Sequence, residues 1–335
     1  MSKDIYVVIE QRDGYIQKVG LELVGEATKL AKDLGQKVIA ILIGDNIASK
    51  ADLLFYYGAE EVIIVEDPML KEYVTEPYAK ALTKVIHKFN PEIVLFGASA
   101  IGRDLAPRVA SRIHTGLTAD CTSLAINPET KLLEMTRPAF GGNIMATIVC
   151  RNYRPQMATI RPGVMQMLEK DKTRQGKATI FKVDFVPEDM NVEILEVAKE
   201  EKKMVDITEA KILVSGGRGV GGPAGYEPLR ELAVVLGGEV ASSRVGVDSC
   251  WIEKNRQVGQ TGKTVRPNLY IACGISGAIQ HLAGMENSDF ILAINKDESA
   301  PMMELADLAI VGDLKVIVPK LTEAIIKYKK EIAIQ

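Results

Sequence analysis

A chain of 335 residues and 36.5 kDa can bury a sizeable core but exceeds the usual single-domain size, so two domains are expected. Its 47% hydrophobic content argues against disorder, and 41 Lys and Arg against 44 Asp and Glu, a formal charge of -3, leave no basic surplus to steer it onto nucleic acid or anionic lipid. Four isolated cysteines (Cys121, Cys150, Cys250 and Cys273, with no CxxC pair) and three histidines give no support to a disulfide framework, an iron-sulfur site or a structural zinc site.

The opening "MSKDIYVVIEQRDG" runs directly into a strand pattern, and no apolar run approaches the roughly 18 residues of a membrane span, so a cytoplasmic protein is expected. Strand signals at 5–10, 37–44, 60–65 and 92–98 alternate with helical periods at 22–35, 46–57, 78–89 and 102–113. Short Val and Ile runs separated by helices predict a parallel sheet covered on both faces. Beyond residue 115 the pattern becomes strand-rich, and "LLEMTRPAFGGNIMATIVC" at 132–150 predicts two strands joined across a glycine turn. Arg137 and the Gly141–Gly142 pair there are expected to be a solvent-facing charge and a tight turn, with a functional role as the alternative. A polar, charged passage at 187–209 marks a boundary between a first domain, 1–200, and a second, 210–335. From 211 a new α/β cycle runs through "KILVSGGRGVGG", "YEPLRELAVVLG", "GEVASSR", "NLYIACGISGAIQHLAG", "SDFILAIN" and "KVIVPKLTEAIIKYKKEIA".

"QVGQTGKTVRP", 257–267, imitates an ATP-binding P-loop, yet Gln257 stands where the first glycine is required. Pro267 and the extended "NLYIACG" follow where a helix must start, so the phosphate cradle lacks its wall. What remains is a loop dense in uncharged hydrogen-bonding groups: Gln257, Gln260, Thr261 and the amides beside Gly259 and Gly262. These suit the heteroatom edge of a planar ring, or simply a solvated turn. "LVSGGRGVGG" at 213–222 ends a strand in glycines with Arg218, the arrangement expected where a chain approaches phosphate, although an exposed arginine is the plainer alternative. "IACGISGAIQHLAG" at 271–284 places Ser276 and the amides near Gly277 where an anion can sit, with N-capping as the alternative; His281 is either a ligand contact or a neutral structural histidine. On parallel strands the loops that follow them gather at the carboxyl edge of a sheet, the usual ligand position.

The run from Gln257 to Leu314 resembles the carboxyl-terminal FAD domain of the alpha subunit of electron transfer flavoproteins, and "TRPAFGGN" at 136–143 resembles that family's first-domain pattern. The resemblance covers the whole chain. It implies a nucleotide-hydrolase-like, Rossmann-type α/β domain followed by a flavodoxin-like domain carrying FAD. By the same resemblance Arg218 contacts the phosphate and adenosine portion, while Ser243 and Arg244 approach the isoalloxazine. Gln257, Gln260 and Thr261 match the flavin loop, Ser276 with Gly277 the "GISG" turn, Gln280 and His281 the "QH" pair near the pyrimidine edge, and Asn295 and Asp313 the adenosine part. The implied partners are an electron transfer flavoprotein beta subunit, carrying AMP or a second FAD, and redox proteins such as an acyl-CoA dehydrogenase.

The implied function is to shuttle electrons through semiquinone and reduced flavin states, in an electron-bifurcating heterodimer or a simple one. His281 near a helix N-terminus is expected to donate toward N1 and O2, Arg244 to stabilise reduced anionic flavin, and Thr261 to tune N5. No nucleophile or general base is needed. A nicotinamide dehydrogenase is disfavoured because "IYVVIEQRDG" carries no Gly-x-Gly-x-x-Gly turn; the other alternative is a noncatalytic adenine-nucleotide sensor.

Overall fold

The computed structural model describes residues 3–139, 144–197 and 206–332, and the chain divides into two compact units, Met1–Ala198 and Lys199–Gln335. In the first unit β1 (Lys3–Ile9) leads through a small hairpin, β2 (Gln11–Arg12) and β3 (Tyr15–Ile16), to α1 (Lys18–Leu34). Then come β4 (Val38–Gly44), α2 (Ala51–Tyr56), β5 (Glu61–Glu66), α3 (Thr75–Phe89), β6 (Pro91–Gly97) and α4 (Ala100–Arg112). The later described strands of the unit are β7 (Leu117–Cys121), β8 (Ser123–Ile126), β9 (Leu133–Pro138), β10 (Met145–Val149), β11 (Gln156–Ile160) and β12 (Lys177–Ile180).

Seven strands form one parallel sheet in the order β12-β5-β4-β1-β6-β11-β7. Side chains alternate across it, so Ile5, Val7 and Ile9 join a core with Leu23 and Ala27 of α1, while Tyr6 and Val8 join another with Leu82 and Val85 of α3. Burial on both faces is why β4 and β11 are buried at every residue. The helix expected at 22–35 starts earlier, at Lys18, because Gln17 holds the N-cap position without a side-chain bond and so leaves no start signal. Its end falls where expected, at Leu34, and is capped by Gly35 at φ 64°.

The two strands expected in 132–150 are β9 and β10; they pair antiparallel and, with β8, make a separate three-stranded sheet. The Gly141–Gly142 pair lies outside the described residues. Periodicity did not announce that β11 and β7 extend the parallel sheet at one edge and β12 closes the other, since β11 and β12 follow a strand and irregular chain rather than a helix.

The second unit contains β13 (Ile212–Gly216), α5 (Glu227–Leu236), β14 (Glu239–Ser242), α6 (Arg244–Asp248), β15 (Leu269–Cys273), α7 (Ile279–Leu282), β16 (Ile291–Asn295), α8 (Pro301–Leu305), β17 (Leu308–Val311) and α9 (Leu314–Ile332). Its five described strands are parallel in the order β14-β13-β15-β16-β17, the flavodoxin-like sequence 2-1-3-4-5. One face packs on α5 and α9 through Leu229, Leu232, Leu314 and Val318. The other is covered by Val258, Val265, Met285 and Met302 from loops and short helices. No described helix is long and apolar enough to cross a membrane.

Candidate functional site

In the second sheet the strand order turns back between β13 and β15, so the loops leaving their carboxyl ends diverge around a crevice. Backbone bonds first hold those loops together: Gly217 N donates to the Cys273 oxygen at 2.9 Å and Gly219 N to the Gly274 oxygen at 3.0 Å. Glycine is required for this approach. A Cβ on Gly217 would stand 2.3 Å from the Gly274 oxygen, and one on Gly219 would stand 2.8 Å from the Gly274 Cα.

Beneath the loops lies a buried polar knot that sequence reasoning missed. The Tyr226 hydroxyl and Ser242 Oγ are 2.6 Å apart, and both approach the Gly216 carbonyl, at 3.3 and 3.2 Å. Gly246 of α6 fits against them because a Cβ there would meet both oxygens at 2.3 Å. This fixes the start of α6, where Ser243 takes the N-cap position and its backbone N donates to the Gly216 oxygen at 3.0 Å. A serine beside Ser243 was the only hint, and nothing in the sequence tied it to Tyr226.

The P-loop lookalike forms a third wall. Val258 N donates to the Ser242 oxygen at 2.9 Å, and the loop closes on itself through Lys263 N to the Gln257 oxygen at 2.8 Å and Gly259 N to the Lys263 oxygen at 3.1 Å. Gln260 N ties it to the Gln280 carbonyl at 2.7 Å. No helix follows, and the lysine side chain turns to Asp206, Nζ to Oδ1 2.8 Å. The loop is therefore a brace for polar side chains and not a phosphate cradle.

These walls enclose a cavity of about 510 Å3. Arg218, Ser243, Arg244, Gln257, Thr261, Ser276, Gly277, Gln280 and His281 line it, together with Val245, Asp248, Val258, Gly259, Ile275 and Ala278. Gln257 Nε2 donates to Thr261 Oγ1 at 2.9 Å, which leaves the threonine hydroxyl proton available to a further acceptor. Arg218 makes no ion pair with any described carboxylate, whereas Arg244 meets Asp248 at 3.0 Å, both well exposed. Ser276 is exposed and caps nothing: α7 begins at Ile279 with Ala278 as its N-cap, because Gly277, at φ 91°, first turns the chain against Met302. That corrects the expected helix start.

His281 also departs from expectation. Its ring is buried, and both nitrogens are engaged by the protein, Nδ1 with the Val258 carbonyl at 3.1 Å and Nε2 with the Tyr270 hydroxyl at 3.0 Å. A carbonyl can only accept, so Nδ1 carries the proton and Nε2 accepts from Tyr270. Burial lowers the imidazole from 6.5 to about 4, so it is neutral at physiological pH. In this geometry the one N–H is directed at the Val258 carbonyl and not at the cavity, which favours the neutral structural histidine of the two readings over donation toward N1 and O2.

Gln260, Asn295 and Asp313 lie outside the lining. Asn295 braces it, with Nδ2 donating to the Ile275 carbonyl at 3.0 Å. Asp313 precedes α9, accepts from Lys315 N at 2.9 Å and pairs with Lys296 at 2.9 Å; that lysine holds its carboxyl below the usual range.

Comparison with known proteins gives the same answer in both units. Residues 5–186 match the electron transfer flavoprotein domain and 206–286 the electron transfer flavoprotein FAD-binding domain. The chain belongs to the electron transfer flavoprotein alpha-subunit family. It is 55% identical to the electron transfer flavoprotein subunit alpha of Thermoanaerobacterium thermosaccharolyticum, over 98% of this chain and 99% of that one. It is 52% identical to Protein FixB of Clostridium saccharobutylicum, over 95% of each. A third relative is the acryloyl-CoA reductase electron transfer subunit beta of Anaerotignum propionicum, 44% identical over 96% of this chain and 95% of that one. The chain is thus an FAD-binding alpha subunit that shuttles electrons, with the α/β Rossmann-like first domain and flavodoxin-like second domain of that family.

Proposed function

We propose that this subunit holds its FAD in the cavity at the β13–β15 switch point and works as one half of a heterodimer with an electron transfer flavoprotein beta subunit. The observation that carries the placement is the glycine-walled crevice of about 510 Å3 with Arg218 free of any described carboxylate, a fit for a large planar cofactor with a diphosphate. When bound, FAD supplies one-electron transfer, which no side chain here provides. Arg218 and the amides around Gly277 hold the anionic phosphates, while Ser243, Arg244, Gln257 and Thr261 face the ring. Thr261 donates its hydroxyl proton to a ring acceptor, directed by the Gln257 amide behind it. Arg244 adds positive potential, which favours added electron density on the ring. Gln260, Asn295 and Asp313 act indirectly, by bracing the loops that carry these groups.

The redox partners are proteins that act on acyl-CoA substrates, a reading supported by the acryloyl-CoA reductase name of one relative. Co-purification of the chain with its native beta subunit, followed by release and quantification of flavin and adenylate, tests the assignment. One FAD with one AMP per heterodimer fits a simple carrier; two FAD fit a bifurcating one. A colourless preparation holding adenine nucleotide alone would overturn both. Replacing Arg218 with Ala weakens FAD retention if the placement is right, and leaves it unchanged if the cofactor lies elsewhere.

A further inference from the structure

Tyr270 lies on β15 with its side chain in the core beneath the flavin loop, fully buried alongside Val258, Met285 and Met302. Its hydroxyl is 3.0 Å from His281 Nε2, and the two rings sit at a 56° angle with centroids 6.1 Å apart. The other imidazole nitrogen faces the Val258 carbonyl at 3.1 Å. Val258 in turn is held by the Ser242 carbonyl, so the acceptor that fixes Nδ1–H belongs to the braced wall of the cavity.

We propose that Tyr270 is a positioning residue for this site: its phenol donates to His281 Nε2 and locks the imidazole neutral, in the Nδ1–H tautomer, as an uncharged wall beside the flavin. Protonation of His281 would place a second N–H against the phenol, which must then give up its bond to Nε2 and turn its own proton toward the buried Ser215 side chain on β13. The lock therefore opposes the charged state by hydrogen-bond polarity as well as by burial. The groups facing the ring are Tyr270 from β15 and the Val258 carbonyl from the flavin loop; the charges on the same cavity are Arg218, Arg244 and Asp248, and Lys263 of the loop is turned to Asp206. The histidine's contribution at the ring is thereby constant with pH in the working range.

This inference rests on the placement of FAD in that cavity. The test uses the heterodimer with 15N-histidine in this chain only, where three histidines give few imidazole signals. The wild-type protein should show His281 as the Nδ1–H tautomer and untitrated near neutrality. Tyr270→Phe should keep FAD while raising the His281 titration point by about one pH unit or more, toward the ordinary 6.5. The one-electron potential of the bound flavin should then acquire a pH dependence that wild type lacks. Should the phenylalanine variant fail to fold, 3-fluorotyrosine at position 270, a stronger donor of nearly equal size, should shift the titration the opposite way. An unchanged tautomer and titration point in whichever protein folds would overturn the lock. A moved titration point with no response in the flavin potential would uphold the lock and instead remove the ring from beside His281.

Discussion

In the first unit the strand order turns back between β1 and β6, and the crevice above that point holds about 30 Å3; in the second it turns back between β13 and β15, and the crevice holds about 510 Å3. The first is filled by Val8, Ile9, Tyr78 and Phe96, and the carboxylate of Glu10 accepts a hydrogen bond from Ser99, the N-cap of α4. A negative charge of the chain's own thus stands at the helix N-terminus, where a phosphate would bind. The second is walled by glycine backbone and carries Arg218 and Arg244. Parallel topology supplies the place twice, and side-chain volume and charge decide which place takes a ligand.

A matched pair of glycine substitutions should break that comparison most visibly. Gly217→Ala puts a methyl 2.3 Å from the Gly274 oxygen and must part the two loops, so FAD affinity in the heterodimer should fall at least ~100-fold, the ~3 kcal/mol that overpacking against backbone reaches. Gly102→Ala makes an even closer clash, 1.8 Å from the Gly97 oxygen, but in the first crevice. It should lower stability by ~1–3 kcal/mol while leaving FAD per folded heterodimer unchanged. Flavin fluorescence titration reads both, and equal loss of FAD in the two variants would mean that the crevices are not independent.

Acid should also act on the two units with opposite sign. His281 titrates near 4 when folded because of burial, below its ordinary 6.5, so the folded state binds fewer protons between those values. Its contribution is complete above pH 6.5 and is lost as the pH falls toward 4, ~3 kcal/mol in all. Glu22 of α1 is buried in the first unit and raised above 4.5, by desolvation that its bond from Gly163 N only partly offsets, so its contribution is present below 4.5 and declines as the pH rises. Trp251, the one tryptophan, reports the second unit alone. Denaturant midpoints from its fluorescence should fall between pH 6.5 and 4, and His281→Gln should flatten that slope; an unchanged slope would remove His281 as its cause.

The charge difference between the crevices can be sharpened at Arg244. Its pair with Asp248 is largely exposed and of little worth to folding, so Arg244→Ala should leave the denaturation midpoint within error. The lost positive potential should nonetheless lower the one-electron flavin potential by ~60 mV, tenfold in the equilibrium. Spectroelectrochemistry at full FAD occupancy measures this, and an unshifted potential would place the guanidinium away from the ring.

Much of this contrast was legible in sequence. "LVSGGRGVGG" and "IACGISGAIQHLAG" end real strands at the real switch point, because glycine runs after Val and Ile strands record backbone proximity directly. Partners brought together only by folding were not legible. Tyr226 reaches Ser242 across a helix, Tyr270 reaches His281 from the sheet below, and Glu10 meets Ser99 from another strand end. The same gap left two readings of the histidine open: its residue type and position suggested a donor, while the two groups that engage its nitrogens lie 11 and 23 residues before it and meet it only through the fold. Helix starts without capping side chains, at Lys18 and Ile279, left no local mark either.

The smallest effect is expected at Lys263, and it separates the flavin loop from the P-loop it imitates. A P-loop lysine holds the phosphates directly, and its loss removes nucleotide binding outright. Here the ammonium pairs with Asp206 at 2.8 Å, with the lysine side chain 32% and the carboxylate 52% exposed, so solvent screens an interaction worth no more than ~1 kcal/mol. What Lys263 does for the cavity is done by its backbone, which closes the loop onto Gln257 and Gly259 whatever the side chain. Lys263→Met should therefore weaken FAD binding no more than ~5-fold, through a looser loop, and Asp206→Asn should match it, with little further loss in the double variant because both remove one pair. A hundredfold loss from Lys263→Met that Asp206→Asn does not reproduce would show the lysine reaching the cofactor, and would restore a phosphate role to the Gly-Lys-Thr run.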